Sequence, residues 1–456
     1  MSEQDKNMTP IDGVLEELPS AKPEGFVEEF LHDDEVHELV GSDGEDNIEP
    51  VDDMMEAFEI EMHMGSDDED NQDDSIVEDM SRANYAAHKG PVYAVDVHMG
   101  AGLVATGGED HKIFLWSMYK LDETPLACWI AHTDSIVSLK FNETGSLLIS
   151  GGMDGTVCVW DVTGRCGKVV DTSSDVSTDE PVVILTGPSE VIWVKFSPDY
   201  ETIMAGSEDG TVWLWYTPQA PEKGAPKLNP DDFMQNVLAH HEGSVHVGEF
   251  SPDGKMIVTG SSDGNLIVVD PLSGVAKHTF SSQVDGRFPS GGITACAVHP
   301  SSQLILVGSD EGGLALVNSQ TGKLISVHES HEDGVESISY SPTNPFVATA
   351  GIDGKVCIFD TSNMRRRHVL AHQEPVIKTA WHPVAPLLVT ASIDRSLRVW
   401  DARNGTLLKT LTAHTEGILD MAVSFPTHAP AGVQPANIRG VAVTGGDDNM
   451  AFLFEI

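Results

Sequence analysis

The sequence predicts an all-β protein made of eight copies of one short-stranded unit, preceded by an acidic segment without fixed structure. Three observations predict it. From about residue 85, short apolar runs alternate with clusters of Gly, Asp, Asn and Pro, the punctuation of strands and hairpins. An acid in a turn is followed six residues later by a bulky apolar residue, and this pair recurs eight times. Residues 1–80 share neither feature and are dominated by carboxylates.

That leading segment comes first in order. The 456-residue chain has 72 Asp or Glu against 26 Lys or Arg, a formal net charge of −46. Residues 1–80 hold 29 of the acids and two bases, Lys6 and Lys22, which leaves −27 there and −19 for residues 81–456. Self-repulsion with little apolar content keeps such a segment unfolded. Residues 26–40 and 54–64 interleave apolar and acidic side chains, so they either solubilise the segment or dock on a basic partner. Ser42 and Ser66, each followed by acids, resemble sites for an acid-directed kinase.

The repeats follow from residue 81. The acid and its apolar partner are Asp110/Trp116, Asp154/Trp160, Asp209/Trp215, Asp263/Val269, Glu311/Val317, Asp353/Phe359, Asp394/Trp400 and Asp448/Phe454. A histidine lies 22 residues before the acid in five repeats, as His88, His132, His241, His331 and His372. In the eighth, His414 lies farther off because residues 425–440 are inserted. A hydroxyl lies four residues before the acid in six, as Thr106, Ser150, Thr259, Thr349, Thr390 and Thr444.

These residues resemble the WD-repeat family over roughly residues 85–456, and Trp160-Asp161 and Trp400-Asp401 are literal W-D pairs. The resemblance implies an eight-bladed WD-repeat β-propeller over residues 81–456, each repeat giving a four-stranded blade. It also implies buried hydrogen-bonded chains His88/Thr106/Asp110/Trp116, His132/Ser150/Asp154/Trp160 and His372/Thr390/Asp394/Trp400. A tight turn buries the Asp, and a buried carboxylate needs donors, so these histidines are structural. The third repeat departs, with Gly187 and Ala205 at the His and hydroxyl positions, and the fifth departs further, with Val307 and Glu311. The boundaries of those two blades, and the path of residues 271–292, are therefore open. The eighth repeat runs out at Ile456 after its third strand, so a strand within about residues 76–87 is expected to close the ring and remove an exposed edge.

No enzyme is expected. The chain has no G-x-S-x-G elbow, no Walker loop, no H-E-x-x-H and no dinucleotide-binding G-x-G-x-x-G, and its glycine turns recur with every repeat. The five cysteines, Cys128, Cys158, Cys166, Cys296 and Cys357, form no C-x-x-C pair, and His241 of His240-His241 falls on the structural offset. Neither a metal nor a cofactor is expected. Arg365-Arg366-Arg367 falls in or near the outermost strand of the sixth blade, where charge discourages strand pairing. The acidic balance argues against direct binding to nucleic acid or to an anionic membrane, since both need a basic face. With no leader-like start and no long apolar stretch, an intracellular monomer is expected, cytoplasmic with the nucleus also open to it.

The remaining candidate is surface. In the family, the loop entering each first strand and the hairpin carrying the buried Asp share one rim. There fall Glu109, Asp134, Glu190, Glu208, Glu242, Asp310, Glu332, Asp333, Glu374, Glu416 and Asp447, with Lys89 as the only comparable base. Loops are polar in any case, but so many like charges would steer and hold a cationic segment. Trp193 and Trp213 would either add apolar or cation–π contacts or pack between blades. The acidic lead, the eight repeats and residues 185–215 are similar to the eukaryotic subgroup that contains the angio-associated migratory cell protein and a fungal chaperone dedicated to a large-subunit ribosomal protein. That resemblance implies a chaperone that shields a newly made basic large-subunit ribosomal protein and delivers it towards a pre-ribosome. A signalling or trafficking scaffold and an acidic histone chaperone are the competing expectations.

Overall fold

The computed structural model describes residues 78–119, 124–165, 180–219, 228–301, 303–426 and 439–456. The expectations for the acidic lead, including residues 26–40 and 54–64, Ser42 and Ser66, lie outside the described residues. The described residues form one compact unit.

The fold is all-β: eight four-stranded antiparallel sheets, seven of them using consecutive strands. The only helical turn among the described residues is the 3-10 segment Pro230–Phe233. The second and third strands of every blade meet in the hairpin that carries the repeat acid. The residue after that acid has a positive φ in all eight, and five use Gly: Gly155, Gly210, Gly264, Gly312 and Gly354, at φ 70 to 84°. His111, Arg395 and Asn449 take the same conformation at φ 61 to 67°. This backbone requirement explains the recurrent Asp-Gly of the sequence.

Eight apolar clusters hold the ring, each shared by two neighbouring blades. One joins Leu115 and Trp129 of blade 1 to Leu148 and Trp160 of blade 2, whose indoles stack at 4.5 Å. Another joins Val389 and Leu397 of blade 7 to Phe452 and Phe454 of blade 8. First strands are also tied across blades by charge: Lys140 to Asp96 at 3.2 Å, Lys378 to Asp420 at 2.5 Å, and Lys195 to Glu249.

Blade 8 takes its outer strand from Ala83–Tyr85, which pairs with Ala451–Glu455 through Ala83↔Leu453, Asn84↔Phe452 and Tyr85↔Ala451. Tyr85 is buried against Trp116 of blade 1. On the inner side Val95 N–H donates to Asp420 at 2.9 Å, so blades 1 and 8 also meet directly.

The departing repeats still build complete blades. Blade 3 spans Val191–Phe196 to Met234–Leu238, and blade 5 spans Ile293–Val298 to Lys323–Glu329. After Ala276–Phe280 the chain turns back so that Phe288 is buried beside Phe280, with ring centroids 6.5 Å apart. Trp193 is buried between blades 3 and 4 and donates to the Val245 carbonyl at 2.9 Å. A Cβ on Gly206 or Gly248 would sit 2.3 or 2.2 Å from its ring, so these glycines make room for it. Trp213 stacks on Trp215 and lies over Gly187. Trp193 is therefore packed between blades and removed from the candidate contact surface, whereas Trp213 is half-buried.

Candidate functional site

The rim is built by the buried chains beneath it. In blade 1 the Trp116 indole lies 3.0 Å from Thr106 Oγ1, which lies 2.8 Å from His88 Nε2, and His88 Nδ1 lies 2.9 Å from Asp110. An indole only donates, so the hydroxyl gives its proton to Nε2, and Nδ1–H donates to the carboxylate. The same order holds for Trp160, Ser150, His132 and Asp154. It holds again for Trp400, Thr390, His372 and Asp394. Three more blades keep hydroxyl, His and Asp without the Trp: Thr259/His241/Asp263, Thr349/His331/Asp353 and Thr444/His414/Asp448.

In these six blades the acid also accepts the backbone N–H of the residue after the histidine, for example Lys89 to Asp110 at 3.2 Å and Thr133 to Asp154 at 2.8 Å. Burial would raise the carboxyls, but these donors outweigh it and hold all six aspartates below the usual carboxylate range. Each acid thereby clamps its hairpin to the loop entering the first strand. Blade 5 substitutes a Ser290 hydroxyl donating to Glu311, with Pro289 at the histidine position.

A second bond repeats in all eight blades. The N–H of the residue before the acid donates to a carbonyl of the entry loop, at 2.9 to 3.1 Å throughout, as in Glu109 to Pro91, Glu208 to Glu190 and Asp447 to Gly417. Entry loops and hairpins therefore share one face, and all eleven candidate acids are exposed on it. Asp134, Glu190, Glu242, Glu332, Asp333, Glu374 and Glu416 stand in entry loops, and Glu109, Glu208, Asp310 and Asp447 on hairpins.

Charge is concentrated unevenly on this face. Glu208, by repulsion and by a carboxyl–carboxyl hydrogen bond, and more weakly Asp134 raise the Glu190 carboxyl, so three acids of blades 2 and 3 act on one another. Glu109 and Asp447, from blades 1 and 8, both act on the Tyr93 hydroxyl, whose ionisation is disfavoured first by burial and then by them. Blade 6 is different. Lys355 bonds Glu332 at 2.5 Å and lies 4.0 Å from Asp353. Exposed Arg395 stands in the blade 7 hairpin, its guanidinium 3.5 Å from the Thr415 carbonyl. Lys89 is thus not the only base near the rim, and Glu332 is partly neutralised.

Sequence reasoning also missed an apolar set. The residue before the repeat acid is, from blade 1 to blade 8, Glu109, Met153, Glu208, Ser262, Asp310, Ile352, Ile393 and Asp447. The offset that identifies the acids would have found the two isoleucines and the methionine one position earlier.

Among the described residues no group of three His, Cys, Asp or Glu is placed to hold a metal. His240 bonds the Gly274 carbonyl at 2.9 Å while His241 serves its own blade, so the adjacent pair does not converge. Arg366 and Arg367 lie in the fourth strand of blade 6, Arg366–Ala371, where Arg367 bonds Asp360 and stacks 5.3 Å from the Phe346 ring centre.

The family described as WD domain, G-beta repeat, matches residues 80–117, 123–161 and 179–216. The family described as nucleolar protein 10-like, N-terminal domain, a β-propeller, matches residues 249–449. The human angio-associated migratory cell protein is 28% identical over 362 residues, which is 76% of this chain and 76% of that protein. Among solved structures, Sqt1 of Chaetomium thermophilum, bound to the N-terminus of the ribosomal protein L10, is 28% identical with a TM-score of 0.69, covering 83% of this chain and 100% of that one. Sqt1 of Saccharomyces cerevisiae, at 21% identity and a TM-score of 0.71 over 83% of this chain and 99% of that one, shares the fold.

Proposed function

Because the chain is a WD-repeat β-propeller of eight blades, we propose that it is a non-enzymatic chaperone whose acidic rim receives a basic, newly made large-subunit ribosomal protein. The observation that carries this reading is the rim itself. Eleven exposed carboxylates stand on one face of a rigid ring, and the arc around Glu190 and Glu208 is strained by its own repulsion. Lys or Arg side chains arriving there relieve that repulsion and are steered by the summed field. A ribosomal protein away from rRNA carries basic extensions with no phosphate to neutralise them, which makes it a fitting client. The likeness to a Sqt1 solved with the N-terminus of a ribosomal protein adds support at 28% identity. The client is handed on towards a pre-ribosome without contact between this protein and RNA, and the working location is cytoplasmic, extending to the nucleus.

The test uses the purified chain and a basic large-subunit ribosomal protein. The reading expects suppression of aggregation, and an affinity that falls steeply with added salt and collapses on reversal of Glu190 and Glu208 to Lys. Salt-insensitive binding, or none, overturns it. Equal protection of histones would make the protein a histone chaperone. Partner binding indifferent to rim reversal would make it a scaffold using other faces.

A further inference from the structure

At one sector of the anionic face two neighbouring blades both present an apolar residue. At the hairpin position before the buried acid, blades 6 and 7 carry Ile352 and Ile393, exposed by 40% and 39%. Each has atoms close to an entry-loop glycine. A Cβ on Gly334 would come 3.2 Å from Ile352 Cδ1, and one on Gly417 would come 2.9 Å from Ile393 Cγ2. Ile393 N–H donates to the Pro375 carbonyl at 2.9 Å. By the repeat register, Pro375 therefore holds the place in the blade 7 entry loop that Gly334 and Gly417 hold in blades 6 and 8. Gly334, Ile352, Pro375, Ile393 and Gly417 carry no charge; Asp333, Glu374 and Glu416 border them, with Arg395 two residues beyond Ile393 and Lys355 held on Glu332. Met153 is equally exposed, but it stands alone between the acids of blades 1 and 3.

A purely ionic rim would gain nothing from exposed isoleucines, which lose free energy to water for as long as they are uncovered. Charges alone also leave an extended basic segment free to slide, because any Lys can replace any other. An apolar seat supplies a fixed register, and apolar burial is not screened by salt.

We propose that Ile352 and Ile393 form a seat for one large apolar side chain of the client's basic segment, so that the rim recognises an apolar residue flanked by Lys or Arg. This rests on the reading of the rim as a site for basic segments. The complementarity is of two kinds at once: a half-exposed apolar floor, and a carboxylate border within one entry loop of it.

The experiment uses two fluorescent peptides of equal length and charge, one of Lys and Ser only, the other with a single central Leu in place of Ser. Their Kd is measured by anisotropy across a salt series, with the full chain and with two double variants, Ile352→Ser/Ile393→Ser and Glu374→Gln/Glu416→Gln. The Leu peptide is expected to bind the unaltered chain about tenfold more tightly, a gap of about 1.4 kcal/mol, and to keep that advantage at high salt. The Ile variant should erase the difference between peptides while keeping the salt slope. The Glu variant should flatten the slope while keeping the difference. Equal affinity of the two peptides for the unaltered chain overturns the seat but not the acidic site, and that comparison needs no altered protein. A Leu advantage that survives in the Ile variant also overturns it. Failure of both peptides to bind overturns the site and the seat together.

Discussion

Blade 7 and blade 3 solve the same packing problem in opposite ways. In blade 7 the polar chain is complete, and Asp394 accepts further bonds from Ser396 at 2.5 Å and from Arg398 at 3.0 Å. In blade 3 the histidine is Gly187 and the hydroxyl is Ala205, and the Trp213 ring fills the space over Gly187. The Trp213 indole donates to Thr211 at 2.8 Å, and Thr211 donates in turn to an exposed Asp209. Both blades nevertheless keep the bond from hairpin to entry loop, Ile393 to Pro375 and Glu208 to Glu190. The lesson is that topology demands the clamp between hairpin and loop, and tolerates either a polar chain or an aromatic plug beneath it.

The largest test of this contrast is removal of the two repeat acids in turn. Asp394→Ala leaves His372 Nδ1–H, the Gln373 N–H and the Arg398 guanidinium short of an acceptor in a buried place, and should cost about 3–5 kcal/mol in urea unfolding. Asp209→Ala should cost about 1 kcal/mol or less, since its acid is exposed and bonded only locally. Equal losses would mean that the chain is decoration and the contrast is empty.

Next in size is Gly187→Ala. Its Cβ would fall 2.2 to 2.5 Å from Trp213 ring atoms, and the overpacking should cost about 1–3 kcal/mol by the same assay. A neutral result would show that Trp213 does not plug the gap.

Acid sharpens the contrast further. The Asp394 carboxyl lies below its unfolded range, so its contribution is complete above about pH 4 and is lost as pH falls through the folded value. Melting temperature should therefore drop on acidification below about pH 4, and the drop should be shallower in Asp394→Ala than in the unaltered chain. Identical profiles would dissociate the buried acid from acid unfolding.

The smallest effect belongs to the rim. Glu208 raises Glu190 by repulsion, so Glu190→Gln should raise the melting temperature slightly in low salt and not at all in high salt. A lowered melting temperature would show that Glu190 has a partner worth more than the repulsion it suffers.

The repeat was visible in the sequence because its spacing is local. Asp110, Thr106 and His88 fall at fixed offsets, and even His414, displaced to 34 residues from Asp448 by the insertion, forms the same bonds. Other features come from the ring and not from the strand pattern. Lys355 meets Glu332 because a third strand faces its own entry loop, and Trp193 reaches Val245 because neighbouring first strands stand side by side. No spacing rule predicts either. The aromatic plug in blade 3 is hidden for a related reason: Thr211 occupies no position of the polar chain, and the offset that marks the hydroxyl falls on Ala205.

The short strand Ala83–Tyr85 pairs with Ala451–Glu455, so the partners that close the ring, Ala83 and Leu453 among them, lie 370 residues apart in the chain. Until that pair forms, blade 8 lacks its outer strand, its junction with blade 1 stands open, and Tyr85 has no neighbour in blade 8. Closure of so distant a pair is slow relative to local hairpin formation. The ring is thus sealed by a contact of very high sequence separation, and the face that carries Glu109 and Asp447 is complete at the blade 8–blade 1 boundary only once that strand has paired.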